Sequence, residues 1–177
     1  MLIISLQQKT FSIDPVELKK TYKNLMTKLH PDKMNANPSR ENIKSDFDAS
    51  DVTHAYEIIS NPLTRASHML EANGILINEK DSGQDLLGME FLMQVMEIRE
   101  IIDGISNSSS AVKDSELIDS KLRPLLEENQ QHMKVTIKNL NETFQSNDLE
   151  AAKKLTAQLQ YWSRIEETIV EKMSRVN

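Results

Sequence analysis

Residues 19–33 read Lys-Lys-Thr-Tyr-Lys-Asn-Leu-Met-Thr-Lys-Leu-His-Pro-Asp-Lys, and they hold most of a helix, its stop and the tip beyond it. Leu18, Tyr22, Leu25, Met26 and Leu29 recur at helical spacing, with Lys19, Lys20 and Lys23 on the adjoining side. Upstream, Asp14 is placed to cap this helix, with Pro15 at its first position and Glu17 at the capping-box position. His30-Pro31-Asp32 ends it, because proline lacks an amide hydrogen and pushes the preceding residue out of the α region. After a polar connection over Lys33–Glu41, the spacing of Ile43, Phe47, Val52, Ala55, Tyr56 and Ile59 predicts a second helix from about Asn42 to Ser60, stopped by Asn61-Pro62. The two helices form an antiparallel hairpin with the His-Pro-Asp triplet at its tip.

A short helix over Leu63–Ala72 then ends at Asn73-Gly74, and Ile75–Gln84 reads as a linker. One helix is expected over Leu86–Ile105, followed by a serine-rich loop, Ser106–Ser110. The next helix carries Leu126, Met133, Ile137, Leu140 and Phe144, with Pro124 as its start or a kink. Asn147 and Glu150 form a capping pair for the last helix, whose stripe Ala152, Leu155, Leu159, Trp162, Ile169 and Met173 faces a core. Three helices with short joints imply an antiparallel bundle. The chain therefore divides into residues 1–74, a linker 75–84 and a three-helix bundle 85–177.

Composition agrees with an all-α chain. Among 177 residues there are 4 glycines, 5 prolines, 4 phenylalanines, 3 tyrosines and 1 tryptophan, too little turn chemistry and too few β-favouring side chains for a many-stranded sheet. With 27 acidic against 21 basic residues the net charge is -6, which opposes nucleic acid and anionic membranes, so any basic patch is local. The absence of cysteine excludes disulfides, thiolate metal sites and cysteine nucleophiles. Met1–Leu6 is too short to span a membrane and lacks the character of a transit peptide.

No catalytic constellation stands out: there is no glycine-rich phosphate loop, no histidine pair at metal spacing and no serine in an elbow context. No metal or cofactor is expected. His54, His68 and His132 read as ordinary helix residues. His30, Pro31 and Asp32 on a stiffened tip beside a lysine-striped helix make a contact surface. The tripeptide alone also fits a plain helix stop with solubilising lysines.

The Leu86–Ile105 helix has two apolar faces. Leu87, Phe91, Val95, Ile98, Ile101, Ile102 and Ile105 form the core face, while Met89, Leu92, Met93 and Met96 stand nearly opposite. Exposing such side chains forgoes about 1.5–3 kcal/mol each. Either the first unit covers this second face or it docks another protein. Tyr161 sits off the stripe that holds Trp162 and so points away from the bundle interior.

Lys19–Lys33, followed by Ala55-Tyr-Glu-Ile-Ile-Ser-Asn-Pro-Leu-Thr-Arg-Ala66, resembles the J-domain family. From Phe11 to Met173 the chain resembles the HscB branch of that family, through Leu29-His-Pro-Asp-Lys33, Asn61–Leu70, Phe91-Leu-Met-Gln-Val-Met-Glu-Ile-Arg-Glu100 and Leu159-Gln-Tyr-Trp162. The resemblance implies that His30, Pro31 and Asp32, with Lys19, Lys20, Lys23, Lys28 and Lys33, engage a DnaK-type heat-shock chaperone and stimulate its ATP hydrolysis. It also implies that Leu92, Met93, Met96 and Tyr161, with Met89 on the same face, bind an iron–sulfur cluster scaffold protein. The family's first helix, with an aromatic and a Leu-Gly pattern, is missing or altered here: Met-Leu-Ile-Ile-Ser-Leu-Gln-Gln-Lys-Thr stands in its place, and no residues match the cysteine-rich module of some eukaryotic relatives.

These readings lead to a J-type unit over 1–74 and a scaffold-binding bundle over 85–177, together a non-enzymatic co-chaperone. A general J-protein for unfolded clients, a helical adaptor without chaperone coupling and an enzyme built on His30 and Asp32 are the rivals. The last lacks a nucleophile, oxyanion donors and a third ligand. The resemblance places a eukaryotic chain in the mitochondrial matrix and a bacterial one in the cytoplasm.

Overall fold

The computed structural model of the chain describes residues 10–29, 48–77, 83–107 and 115–174, with backbone alone at 106–107 and 115–119. The chain is all-α: α1 is Pro15–Leu29, α2 Ala49–Ser60, α3 Pro62–Ala72, α4 Gln84–Leu87, α5 Met89–Asn107, α6 Ser115–Gln145 and α7 Leu149–Ser174.

Asp14 caps α1, its Oδ1 accepting from the Val16 amide at 2.8 Å. The carboxylate of Glu17 bonds Lys20 at 3.2 Å, so the cap is one-sided, without the reciprocal box expected. α2 begins later than the periodicity predicts. Asp48 is extended, accepts from the Asp51 amide at 2.9 Å and donates its own amide to Asp51 Oδ2 at 2.9 Å. That reciprocal pair starts the helix at Ala49, whereas Ile43 and Phe47, expected within it, lie outside the described residues. α1 and α2 run antiparallel: Tyr22 stacks on Tyr56 with centroids 4.3 Å apart, and one turn further along α1 the Met26 sulfur accepts from Thr53 at 3.9 Å.

Asn61 closes α2 and caps α3 through Leu63, with Pro62 at the first helical position. The expected linker is not free along its whole length, because Ile75 and Ile77 pack against the first core. The single helix expected over Leu86–Ile105 is two. Gly88 at φ 83° breaks it, a conformation that needs no Cβ, and leaves α4 as one turn carrying the buried Leu87. Pro124 lies inside α6 rather than at its start. At the α6–α7 turn Asn147 adopts left-handed φ 57°, and Asp148 caps α7 by accepting from Ala151 at 3.0 Å. The cap is therefore Asp148, one residue past the Asn147 expected, because Asn147 is used to end α6.

Two apolar cores hold the elements. The first joins the J-type unit to the long helices: Phe11, Ala66 and Leu70 pack with Leu140, Phe144 and Leu159. The second lies under α5, where Val95 and Ile102 meet Leu122, Trp162, Ile165 and Ile169. Each large apolar side chain so buried contributes about 1.5–3 kcal/mol. Across the α6–α7 seam Asn129 donates to the Trp162 carbonyl at 3.0 Å, which fixes the register of the two helices.

Candidate functional site

The two candidate surfaces lie on different helices. On α1, Lys19, Lys20, Lys23 and Lys28 are exposed while Leu18 is buried, so the lysines stand clear of the hairpin's apolar contact. Lys20 and Glu17 form an exposed pair at 3.2 Å, and such pairs contribute little. His30, Pro31, Asp32 and Lys33 lie outside the described residues.

α5 carries the second surface. Its inward side is fixed by Val95 and Ile102, both buried. At 100° per residue Met89, Met93 and Met96 then fall on the outer side, and they are 53%, 61% and 60% exposed. Leu92 is half-buried at the edge of that stripe. The first unit does not cover this face. Ile101, expected on the core side, is 45% exposed, because α5 meets its neighbours along a narrower stripe than the wheel alone suggests.

Tyr161 is half-buried against the second core, not clear of it. The Phe91 ring sits edge-on to both Tyr161, at 5.9 Å, and Trp162, at 5.1 Å. Above Tyr161, the Arg99 guanidinium carbon stands 6.0 Å from the ring centroid. Arg99 falls between the two faces of α5 on the side of Leu92, so Tyr161 flanks the methionine stripe from α7. On the opposite flank Gln94 Nε2 lies 3.5 Å from His132 Nε2, and the His132 ring stacks on Trp162 with centroids 4.6 Å apart. Thus α5 lies across α6 and α7, with Phe91 beneath it among the core side chains, Arg99 on one flank and Gln94 on the other.

Phe91 and Arg99 shape this surface without having been assigned a part in it from sequence. The signal was present in the alternation of core and outer positions along Phe91–Glu100, although their contact with Tyr161 depends on how α5 crosses α7. Arg65, at the first core and away from α5, is another residue with no part assigned from sequence. It is 7% exposed, donates from Nη1 to the Ile59 carbonyl at 3.0 Å and lies over Phe11. Burial disfavours its charged form and lowers its pKa. Among the described residues no group of three or more His, Asp or Glu side chains is placed to hold a metal ion.

Two family models match parts of the chain. The family model described as DnaJ domain matches residues 6–68, and that described as HSCB C-terminal oligomerisation domain matches residues 87–170. The chain is 28% identical over 166 residues to the iron–sulfur cluster co-chaperone protein HscB homolog of Arabidopsis thaliana, covering 94% of this chain and 60% of that protein. It is 30% identical over 162 residues to the iron–sulfur cluster co-chaperone protein HscB of Mus musculus, covering 91% and 63%. Against the mitochondrial J-type co-chaperone jac1 of Schizosaccharomyces pombe the identity is 31% over 160 residues, with 90% and 64% covered. The chain thus spans 60% to 64% of the length of these curated relatives. Among solved structures, the chaperone HscB from Vibrio cholerae superposes with a TM-score of 0.73 at 20% identity, covering 96% of this chain and 94% of that one. The crystal structure of human co-chaperone protein HscB gives a TM-score of 0.72 at 25% identity, covering 93% and 77%.

Proposed function

Because the chain belongs to the HscB-type J-domain co-chaperones, we propose that it brings an iron–sulfur cluster scaffold protein to a DnaK-type chaperone and stimulates that chaperone's ATPase, with no catalysis of its own. His30, Pro31 and Asp32, with Lys19, Lys20, Lys23, Lys28 and Lys33, engage the chaperone. Met89, Leu92, Met93, Met96 and Tyr161 receive the scaffold.

The observation that carries this reading is the outer side of α5: three methionines more than half exposed on a helix whose inner side is core. A face of that kind gains by covering apolar surface, and methionine adapts its shape to a partner. Tethering the scaffold to the hairpin raises its effective concentration at the chaperone, so modest separate affinities suffice. The cluster travels on the scaffold as cargo, since this chain has no cysteine to ligate it.

A general J-protein would bind many extended apolar peptides, whereas one exposed stripe flanked by Tyr161 suits a single folded partner. Among the described residues no helix is long and apolar enough to cross a membrane. We read the compartment as mitochondrial matrix for a eukaryotic chain and cytoplasm for a bacterial one, a reading supported by the similarity to a mitochondrial J-type co-chaperone.

Calorimetric titration with a purified iron–sulfur scaffold tests the reading. Saturable binding that an unfolded apolar peptide does not compete away is the expected result. Absence of scaffold binding, or full competition by the peptide, would place the chain with the general J-proteins.

A further inference from the structure

The chain holds 9 methionines and no cysteine, so thioethers are its whole stock of oxidisable sulfur. Met1 and Met34 lie outside the described residues. Met69 is buried in the first core, while Met26, Met133 and Met173 are half-buried. The sulfur of Met26 accepts from Thr53 at 3.9 Å and that of Met133 from Asn129 at 3.7 Å. Among the described methionines Met89, Met93 and Met96 stand apart: they are 53%, 61% and 60% exposed and share the outer side of α5. Susceptibility to oxidation follows exposure, and among the described residues the exposed thioethers converge on one surface.

We propose that Met89, Met93 and Met96 form a methionine-oxidation site through which peroxide closes the scaffold-docking face. The inference rests on the docking role proposed above for that face. In the step, a sulfur lone pair attacks one peroxide oxygen; an S–O bond forms, the O–O bond breaks, and the second oxygen leaves as water after proton transfer. The thioether is oxidised by two electrons and the peroxide reduced by two. A dithiol reductant acting through a methionine sulfoxide reductase supplies two electrons in return, carries the oxygen off as water and becomes a disulfide.

Each sulfoxide places a strong acceptor where an apolar partner must close against the helix. Covering it without a donor leaves a desolvated polar oxygen, which is costlier than losing the apolar contact alone. The inner side of α5 holds no methionine, since Val95, Ile98 and Ile102 occupy it, and Met133 and Met173 in the core beneath are half-buried, so oxidation reaches the docking face first. An oxidant able to attack an iron–sulfur cluster would thereby shut the surface that receives the cluster's scaffold.

Timed hydrogen peroxide treatment of the full chain, with peptide mass mapping, reads the modification without any partner. Met89, Met93 and Met96 should each gain an oxygen before Met69 and Met133 do. Titration with the purified scaffold should then show affinity falling about tenfold or more, restored by the reductase with dithiol. In a chain carrying Met89→Leu, Met93→Leu and Met96→Leu, peroxide should leave the ratio of treated to untreated affinity at one, whatever the untreated value. Oxidation of Met69 or Met133 ahead of the three, unchanged binding after their oxidation, or equal loss in the leucine variant would each overturn the switch. An untreated chain that fails to bind scaffold would overturn the docking reading and the switch with it, while the mapping still reports whether the three methionines oxidise first.

Discussion

The guanidinium carbon of Arg65 lies 4.8 Å from the centroid of the Phe11 ring, and Phe11 in turn stacks on Phe144 at 5.3 Å. Arg65 belongs to α3 and Phe144 to α6, so one cation and two rings join the J-type unit to the long helices. Nη1 of the same arginine donates to the Ile59 carbonyl in the last turn of α2, satisfying an acceptor that the helix end leaves unpaired.

Arg65→Met should therefore lower stability by about 1–3 kcal/mol, through the unpaired carbonyl and the lost contact with Phe11. Arg65→Lys should recover little, because an ammonium lacks the planar face that covers the ring. A base whose folded pKa is depressed costs stability wherever it is protonated and regains it only as pH rises through that pKa. Arginine stays protonated at ordinary pH, so the wild-type-to-variant difference should be flat from about pH 5 to 9. Denaturant melts at several pH values check both points, and an equally stable methionine variant would contradict them.

Met93→Ala with Met96→Ala should leave the melting temperature unchanged, because both side chains are mostly in solvent. Tyr161→Ala should cost about 1–2 kcal/mol, since Phe91 packs edge-on against its ring. Both variants should weaken scaffold binding, so melting curves run beside calorimetric titrations separate surface from support. A sharp loss of stability in the double methionine variant would mean that the stripe is packed rather than exposed.

Charge reversal at Lys19, Lys20 and Lys23 should slow association with the chaperone more than it speeds release. The three lysines share one exposed side on a protein of net charge -6, which makes the encounter sensitive to ionic strength. Stopped-flow association rates that do not change between low and high salt would reduce the stripe to a solubilising face.

Helical periodicity made most of this architecture legible, because Leu18, Val95, Leu140 and Ile169 recur where a helix must turn them inward. Gly88 escaped the reading since Leu87 stands four residues before Phe91, a spacing that one continuous helix would satisfy equally well. Asn147 and Asp148 are adjacent residues of similar capping preference, and only the left-handed backbone at Asn147 decides between them. The methionine stripe was readable from α5 alone. Tyr161 is named from sequence as well, but its half-burial is not readable there, because it comes from Phe91 and Arg99 on a different helix. The ring of Arg65, Phe11 and Phe144 likewise depends on tertiary placement that spacing along the chain does not encode.

In the proposed function one chain couples a chaperone-engaging tip to a scaffold-docking helix. Steady-state ATP hydrolysis by a DnaK-type chaperone, measured with a purified iron–sulfur scaffold present, tests it most directly. The wild-type chain should stimulate hydrolysis. Asp32→Asn or His30→Gln should abolish the stimulation while calorimetric scaffold binding persists, and Met93→Ala with Met96→Ala should weaken scaffold binding while stimulation measured without scaffold persists. Stimulation that survives both tip variants, or that is lost in the methionine variant even without scaffold, would contradict the two-surface account.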